Sequence, residues 1–152
     1  MGLKGKLTAQ IELRAGGDVF HDLFRYTPHQ IPNISPTTIQ GCELHEGEWG
    51  TVGSVYTWKY THDGKPQVAK EVIESIDEEK RSVTFKLIEG DLLESLKAFK
   101  VGFHVETHGD IDLVTWTLEY EKLNDDVDDP ITLLGFCIKL AKDIESHHLK
   151  AV

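Results

Sequence analysis

Basic residues are in deficit. Sixteen Lys and Arg stand against 26 Asp and Glu, which leaves a formal net charge of −10 at neutral pH with His neutral. A chain so acidic has little to offer phosphate-rich partners or anionic membrane surfaces, because it releases few counterions on binding. Nucleic acid is therefore excluded as a partner class. Cysteine is scarce too: Cys42 and Cys137 are the only two, and each sits in an apolar context that predicts a buried thiol rather than a bridge. No apolar run approaches the roughly 18 residues of a membrane span, so no membrane insertion is expected. The opening Met1-Gly2-Leu3-Lys4-Gly5-Lys6 lacks the apolar region of a signal peptide. Gly2 is not followed by the Ser or Thr at position 6 that myristoylation favours, since Lys6 stands there. These absences together predict a cytosolic location. Internal repeats and low-complexity tracts are also lacking.

What is present fits one ordinary globular unit over residues 1–152, with 39% hydrophobic and 28% charged residues. A chain of this length can bury roughly two-thirds of its unfolded surface without disulfides or metals. The C-terminal stretch from Asp128 to Leu149 reads as one long helix. Pro130 suits its first position and Asp129 its N-cap. Leu133, Leu134, Phe136, Cys137, Leu140, Ala141 and Ile144 fall on one broad side of it. A flat sheet would cover only part of that arc, so a sheet that curls around the helix is expected.

The rest of the chain supplies one. Leu7, Ala9, Ile11 and Leu13 alternate with polar residues over a first strand from Lys4 to Arg14, which Ala15-Gly16-Gly17 breaks. Asp18 can cap a short helix carrying Val19, Phe20, Leu23 and Phe24. Pro28, Pro32 and Pro36 then leave room for only a turn or two of helix before a strand restarts at Thr37 with ambiguous parity. Beyond a glycine-spaced loop (Gly47, Gly50, Gly53) come strands joined by tight turns at His62-Asp63-Gly64-Lys65, Asp77 to Lys80, Gly90-Asp91 and His108-Gly109-Asp110. One parity of these strands reads Tyr56, Trp58, Tyr60; Val83, Phe85, Leu87; Phe99, Val101, Phe103, Val105; Val114, Trp116, Leu118, Tyr120. The other parity is mostly Thr, Lys, His and Glu. The fold class is α+β: seven antiparallel strands, two short helices after the first, and the long helix last. Large rings with polar tips suit either a filled core or a lined, partly polar hollow.

The motifs with chemical potential have plain structural readings. The glycine loop lacks the Gly-Lys-Ser/Thr ending of a phosphate cradle, and Glu46 and Glu48 would repel an anion, so it reads as a tight connection. His104, Glu106 and His108 share one strand face that should lie in water, and no further ligand for a metal can be named. His147-His148 suit the negative end of the long helix. Lys70, between Val68 and Val72, could point inward, where desolvation would lower its pKa and make it a Schiff-base or general-base candidate.

Several segments carry a resemblance. They are Pro28-His29 with Pro32-Asn33-Ile34, the run Ile39-Gln40-Gly41-Cys42-Glu43-Leu44-His45-Glu46-Gly47-Glu48-Trp49-Gly50, Gly53-Ser54, and Trp58-Lys59-Tyr60-Thr61-His62-Asp63-Gly64. Ala69-Lys70-Glu71, Ile88-Glu89-Gly90-Asp91-Leu92 and Trp116-Thr117-Leu118-Glu119-Tyr120-Glu121-Lys122 complete the set. The chain resembles the plant major latex proteins, a branch of the birch-pollen-allergen and class-10 pathogenesis-related superfamily with the helix-grip (START-like) fold. The resemblance covers essentially the whole chain. It implies a curved seven-stranded sheet gripping the long helix around a hydrophobic cavity. It also implies binding of amphipathic small molecules such as hormones, sterols, fatty acids or phenolics, in a setting of defence and stress response.

On that reading the chain is a carrier, not an enzyme, and needs no cofactor and no metal. The ligand is expected to meet Phe24, Ile31 and Ile39 on the entrance side. From the sheet come Tyr56, Trp58, Tyr60, Val83, Phe85, Phe99, Val101, Phe103, Val114, Trp116 and Tyr120; Leu133, Cys137 and Leu140 join from the helix. Two alternatives stand beside this. Superfamily cousins include condensing or cyclising enzymes with cavity lysines, a role for which Lys70 would be the candidate. Others are ligand-gated receptors that dock a protein partner through a Ser-Gly-Leu-Pro-Ala gate; here that turn is the short, polar His62-Asp63-Gly64-Lys65-Pro66.

Overall fold

Period-two alternation carries most of the chain into strands, and one helical repeat closes it. The computed structural model describes residues 3–14 and 19–150. In order come β1 (Lys4–Leu13), α1 (Val19–Tyr26), a 3-10 turn at Pro28–Gln30, α2 (Ile31–Ile34), β2 (Ile39–Glu46) and β3 (Val55–His62). Then follow β4 (Lys65–Asp77), β5 (Ser82–Gly90), a second 3-10 turn at Asp91–Glu94, β6 (Leu96–His108), β7 (Ile111–Lys122) and α3 (Ile131–Lys150). The expected break at Ala15 to Gly17 and the expected cap at Asp18 lie outside the described residues.

The strands form one antiparallel seven-stranded sheet in the order β1-β7-β6-β5-β4-β3-β2. Helix α3 touches β1 and β7 near one edge and β3 near the other. A single straight helix can reach both sides of a sheet only if the sheet curls around it, as the width of its apolar arc requires. Its buried residues are Leu133, Cys137, Leu140, Ala141 and Ile144, while Leu134 and Phe136 at the margins are half-buried. The helix-grip arrangement is thus present.

Polar ties fix the helix along its length. The Arg14 backbone N–H donates to Glu145 Oε2 at 2.6 Å, and the Ser35 hydroxyl just after α2 donates to Asp143 Oδ2 at 2.6 Å. Lys139 Nζ lies 3.1 Å from Thr38 Oγ1. At the other end the structure corrects an expectation. Asp129 spends its carboxylate on Tyr120, whose hydroxyl donates to Oδ1 at 2.9 Å, and on Lys122 Nζ at 3.3 Å. These two donors hold its carboxyl below the usual range. It ties the helix entry to β7.

The inward parity set is buried throughout except Val101, which is half-buried. The ambiguous parity of β2 has a physical cause. A bulge between Ile39 and Gly41 adds one residue, so Ile39 before it and Cys42 after it both face inward. The turn between β3 and β4 sets a register that matters below. Asp63 and Gly64 both have positive φ, at 52° and 75°, the pattern of a two-residue hairpin turn that pairs His62 with Lys65.

Candidate functional site

Between the sheet and α3 lies a cavity of about 90 Å³. That is room for several waters, or for a single ring or short chain. Its walls come from Phe24 of α1, Ile39 of β2, Trp58 and Tyr60 of β3, Ala69 and Glu71 of β4, and Phe85 of β5. Leu92 of the second 3-10 turn, Phe99 and Val101 of β6, Trp116 and Leu118 of β7, and Leu133, Phe136, Cys137 and Leu140 of α3 complete it. Phe24 and Ile39 are only 4% and 3% exposed, so they are interior wall rather than entrance. Leu92, Val101 and Phe136 are the half-buried members of this lining.

Of the residues expected in the site, the fold gathers Phe24, Ile39, Trp58, Tyr60, Phe85, Phe99, Val101, Trp116, Leu133, Cys137 and Leu140 around the cavity. Six others lie off it, each for a packing reason. Tyr56 is fully buried, and its hydroxyl accepts from the Gly50 N–H at 2.7 Å and donates to the Arg25 carbonyl at 3.0 Å. Phe103 packs edge-on against Phe20 at 5.1 Å and against Trp116 at 5.6 Å between ring centroids. Ile31, Val83 and Val114 are fully buried in the surrounding core. Tyr120 turns its hydroxyl to Asp129.

The residues that the sequence reading left out are Ala69, Glu71, Leu92, Leu118 and Phe136. Glu71 is the consequential one. The hairpin register places Glu71 opposite Tyr56 and Ala69 opposite Trp58, on the inward face. Lys70 accordingly faces outward, with Nζ 3.1 Å from Glu89 Oε2 across the strand pair. The expectation that Lys70 could enter the cavity is therefore wrong, and the Asp63-Gly64 turn was the signal that could have shown it. A two-residue turn fixes the sum of paired residue numbers, so inward Tyr56, Trp58 and Tyr60 force Ala69 and Glu71 inward.

Glu71 is 8% exposed, and burial pushes its carboxyl up to about 7. Among the described residues no cation offsets this; the Trp58 indole, which stands outside hydrogen-bond geometry, is the one group there that favours the charged form. The carboxylate in turn acts on Tyr60, Cys42 and Cys137, adding to the burial that raises each of them. Among the described residues, Trp58 Nε1, Trp116 Nε1 and the Tyr60 hydroxyl are buried with no hydrogen-bond partner. Both cysteines are free, buried thiols.

The glycine loop is a connector. Gly47, Gly50 and Gly53 all have positive φ, and a Cβ on Gly50 would strike the Tyr26 ring at 2.6 Å. Arg25 Nε donates to the Gly50 carbonyl at 3.1 Å, which seats the loop on the end of α1. Among the described residues no group of three His, Cys, Asp or Glu is disposed to hold a metal. His108 Nε2 lies 3.4 Å from Glu106 Oε2 on the exposed face. No helix among these residues is long and apolar enough to cross a membrane.

This geometry matches known proteins along nearly its whole length. The sequence profile of the pathogenesis-related protein Bet v 1 family matches residues 2–151. The chain belongs to the Bet v 1 family. Within it, the chain is similar to MLP-like protein 28 of Arabidopsis thaliana, with 46% identity over 149 residues, 97% of this chain and 44% of that protein. The chain thus spans less than half the length of that relative. It is also similar to the crystal structure of major latex-like protein 151 from Panax ginseng, at 53% identity and a TM-score of 0.94 over 97% of this chain and 99% of the other. Norcoclaurine synthase from Thalictrum flavum shares the Bet v 1 fold with a TM-score of 0.78 at 20% identity, over 97% of this chain and 87% of that one.

Proposed function

We propose that the protein binds and carries hydrophobic or amphipathic small molecules in the cavity between the sheet and α3, without transforming them. The observation that carries this reading is the apolar chamber itself, walled by Trp58, Phe85, Phe99, Trp116 and the middle of α3. Kinship with major latex-like proteins supports it. The disposition of the reactive groups supports the non-catalytic part. Lys70 is engaged with Glu89 on the outer face, and burial raises both thiols away from the nucleophilic thiolate.

Magnitudes bound the affinity. Burying about 300 Å² of apolar ligand surface yields roughly 7–8 kcal/mol of transfer free energy. Immobilisation and imperfect polar pairing remove several kcal/mol of that. Binding in the micromolar to sub-millimolar range follows, which suits a carrier that must release its cargo. A ligand larger than one ring would extend toward the half-buried members of the lining, Leu92, Val101 and Phe136.

The test is optical. Two of the three tryptophans, Trp58 and Trp116, line the cavity, while Trp49 stacks on His29 and Tyr56 outside it. Titration with a hydrophobic dye should quench emission in the wild type and far less in a Trp58→Phe, Trp116→Phe variant. Emission that saturating dye leaves unchanged would remove the cavity reading.

A further inference from the structure

The cavity wall is mostly apolar, and Glu71 is the one carboxylate among its lining residues. On the faces of β3 and β4 that line the cavity, Trp58 stands diagonally next to Glu71, and Tyr60 lies further along β3, opposite Gln67. Trp58, Tyr60 and Glu71 are each more than nine-tenths buried. Among the described residues the phenol hydroxyl and the indole N–H have no hydrogen-bond partner, and no cation balances the carboxylate. Water cannot fully compensate a carboxylate there, so the group that enters decides the energetics. Resting on the carrier reading above, we propose that Glu71 is the specificity-determining group of the cavity. It selects amphiphiles whose buried head offers an O–H or N–H donor, and it rejects those whose head is an anion.

The chemistry is asymmetric. A hydroxyl or ammonium head donates to Glu71, and a hydroxyl oxygen can also accept from the neighbouring Trp58. A carboxylate head could accept from Trp58 too, but it would face Glu71 in a low-dielectric chamber where like charges are costly. Such an anion enters only with Glu71 protonated. Other groups packed around Glu71 leave this preference intact. Tyr60 and Tyr56 from β3, Cys42 from β2 and Cys137 from α3 all stay neutral near physiological pH, because burial raises each of them. Leu87, opposite it on β5, is apolar. His62 lies beyond Phe136, 6.4 Å away between ring centroids, outside the cavity wall.

Three probes with the same chain isolate the head: octan-1-ol, octylamine and octanoate, each competing with a fluorescent dye for the full-length protein. The octanoate head is ionised at both about pH 6 and about pH 8, so its own titration does not enter. Wild-type affinity for octanoate is expected to fall about tenfold between those two pH values, as Glu71 loses its proton, while octan-1-ol changes less than about twofold. Glu71→Gln should abolish the octanoate fall and bring octanoate at the higher pH close to its wild-type value at the lower. Octylamine, already a cation, should bind the wild type more tightly at the higher pH and lose that gain in Glu71→Gln. The alcohol and amine arms distinguish which donor class is preferred. Octanoate that binds equally at both pH values, or a pH dependence that survives in Glu71→Gln, overturns the proposal. If no probe displaces the dye although the dye binds, the head-group proposal alone fails. If neither dye nor probes bind, the carrier reading fails with it.

Discussion

At the scale of single residues, Glu71 makes the largest departure from a generic apolar core, and it carries a stability consequence. Its carboxyl is raised in the folded protein from 4.5 to about 7 by burial. As pH climbs past 4.5 the unfolded chain releases this proton first, so the folded state then holds more protons than the unfolded one. Stability contributed by the neutral carboxyl is therefore present below about pH 4.5, is lost between there and about pH 7, and levels off above. Glu71→Gln keeps the shape and cannot ionise. Its stability relative to wild type should rise with pH across this window, reaching on the order of 3 kcal/mol near pH 8. Urea midpoints of both proteins at acid and alkaline pH would check this; a difference that is flat with pH would contradict it.

Tyr56 shows the opposite use of a polar tip. Its hydroxyl joins the glycine loop to the end of α1 through Gly50 and Arg25. Tyr56→Phe leaves the buried Gly50 N–H without its acceptor, and should cost about 2 kcal/mol in chemical denaturation while ligand affinity stays within about twofold. Equal losses in both would mean that the loop shapes the cavity. The two tyrosines could not be told apart by parity, because Tyr56 and Tyr60 share one face of β3. Only the loop folding back over Tyr56, and nothing doing so over Tyr60, separates a bonded hydroxyl from a free one.

At the scale of elements, α3 does two jobs along one face. Its later turns, with Ala141 and Ile144, are seated by packing and by the ties from Arg14 and Ser35. Its early and middle turns, with Leu133, Phe136, Cys137 and Leu140, are cavity wall. Cys137→Phe should therefore fill space rather than displace neighbours. The expected outcome is a dye affinity reduced at least about tenfold, with stability changed by less than about 1.5 kcal/mol. Unchanged affinity would put the ligand elsewhere. Much at this scale was legible beforehand. The alternating runs mark β1 and β3 to β7, and the 3.6-residue repeat marks α3 to within a residue or two. The β2 parity was not legible, because the bulge after Ile39 is set by pairing with β3 and not by local propensity. The role of Asp129 was missed for a similar reason: a local N-cap competed with Tyr120 and Lys122, which the fold brings to it.

At the scale of the whole molecule, a ligand held between the sheet and α3 binds the folded state and not the unfolded chain, so it stabilises the fold. A compound at about one hundred times its dissociation constant adds roughly 2.7 kcal/mol to stability. For a chain of this length that is a rise of roughly 5–10 °C in Tm, measurable by calorimetry with any amphiphile that quenches Trp58 and Trp116. A compound that quenches without raising Tm would be binding to the outside.

The sequence by itself determined the α+β class, the strand and helix order, the inward face of most strands and the apolar side of α3. Each of these follows from periodicity, which is local. It also held the inward position of Glu71, in the two-residue turn at Asp63-Gly64 and the ring-bearing face of β3. What only the tertiary structure decided is which buried side chains meet empty space and which meet one another. Phe103 and Phe99 have the same pattern on the same strand, yet one is stacked among Phe20, Phe24 and Trp116 while the other faces the cavity. That difference comes from where α1 and α3 lie across the curved sheet, a matter of long-range packing that no window of sequence contains.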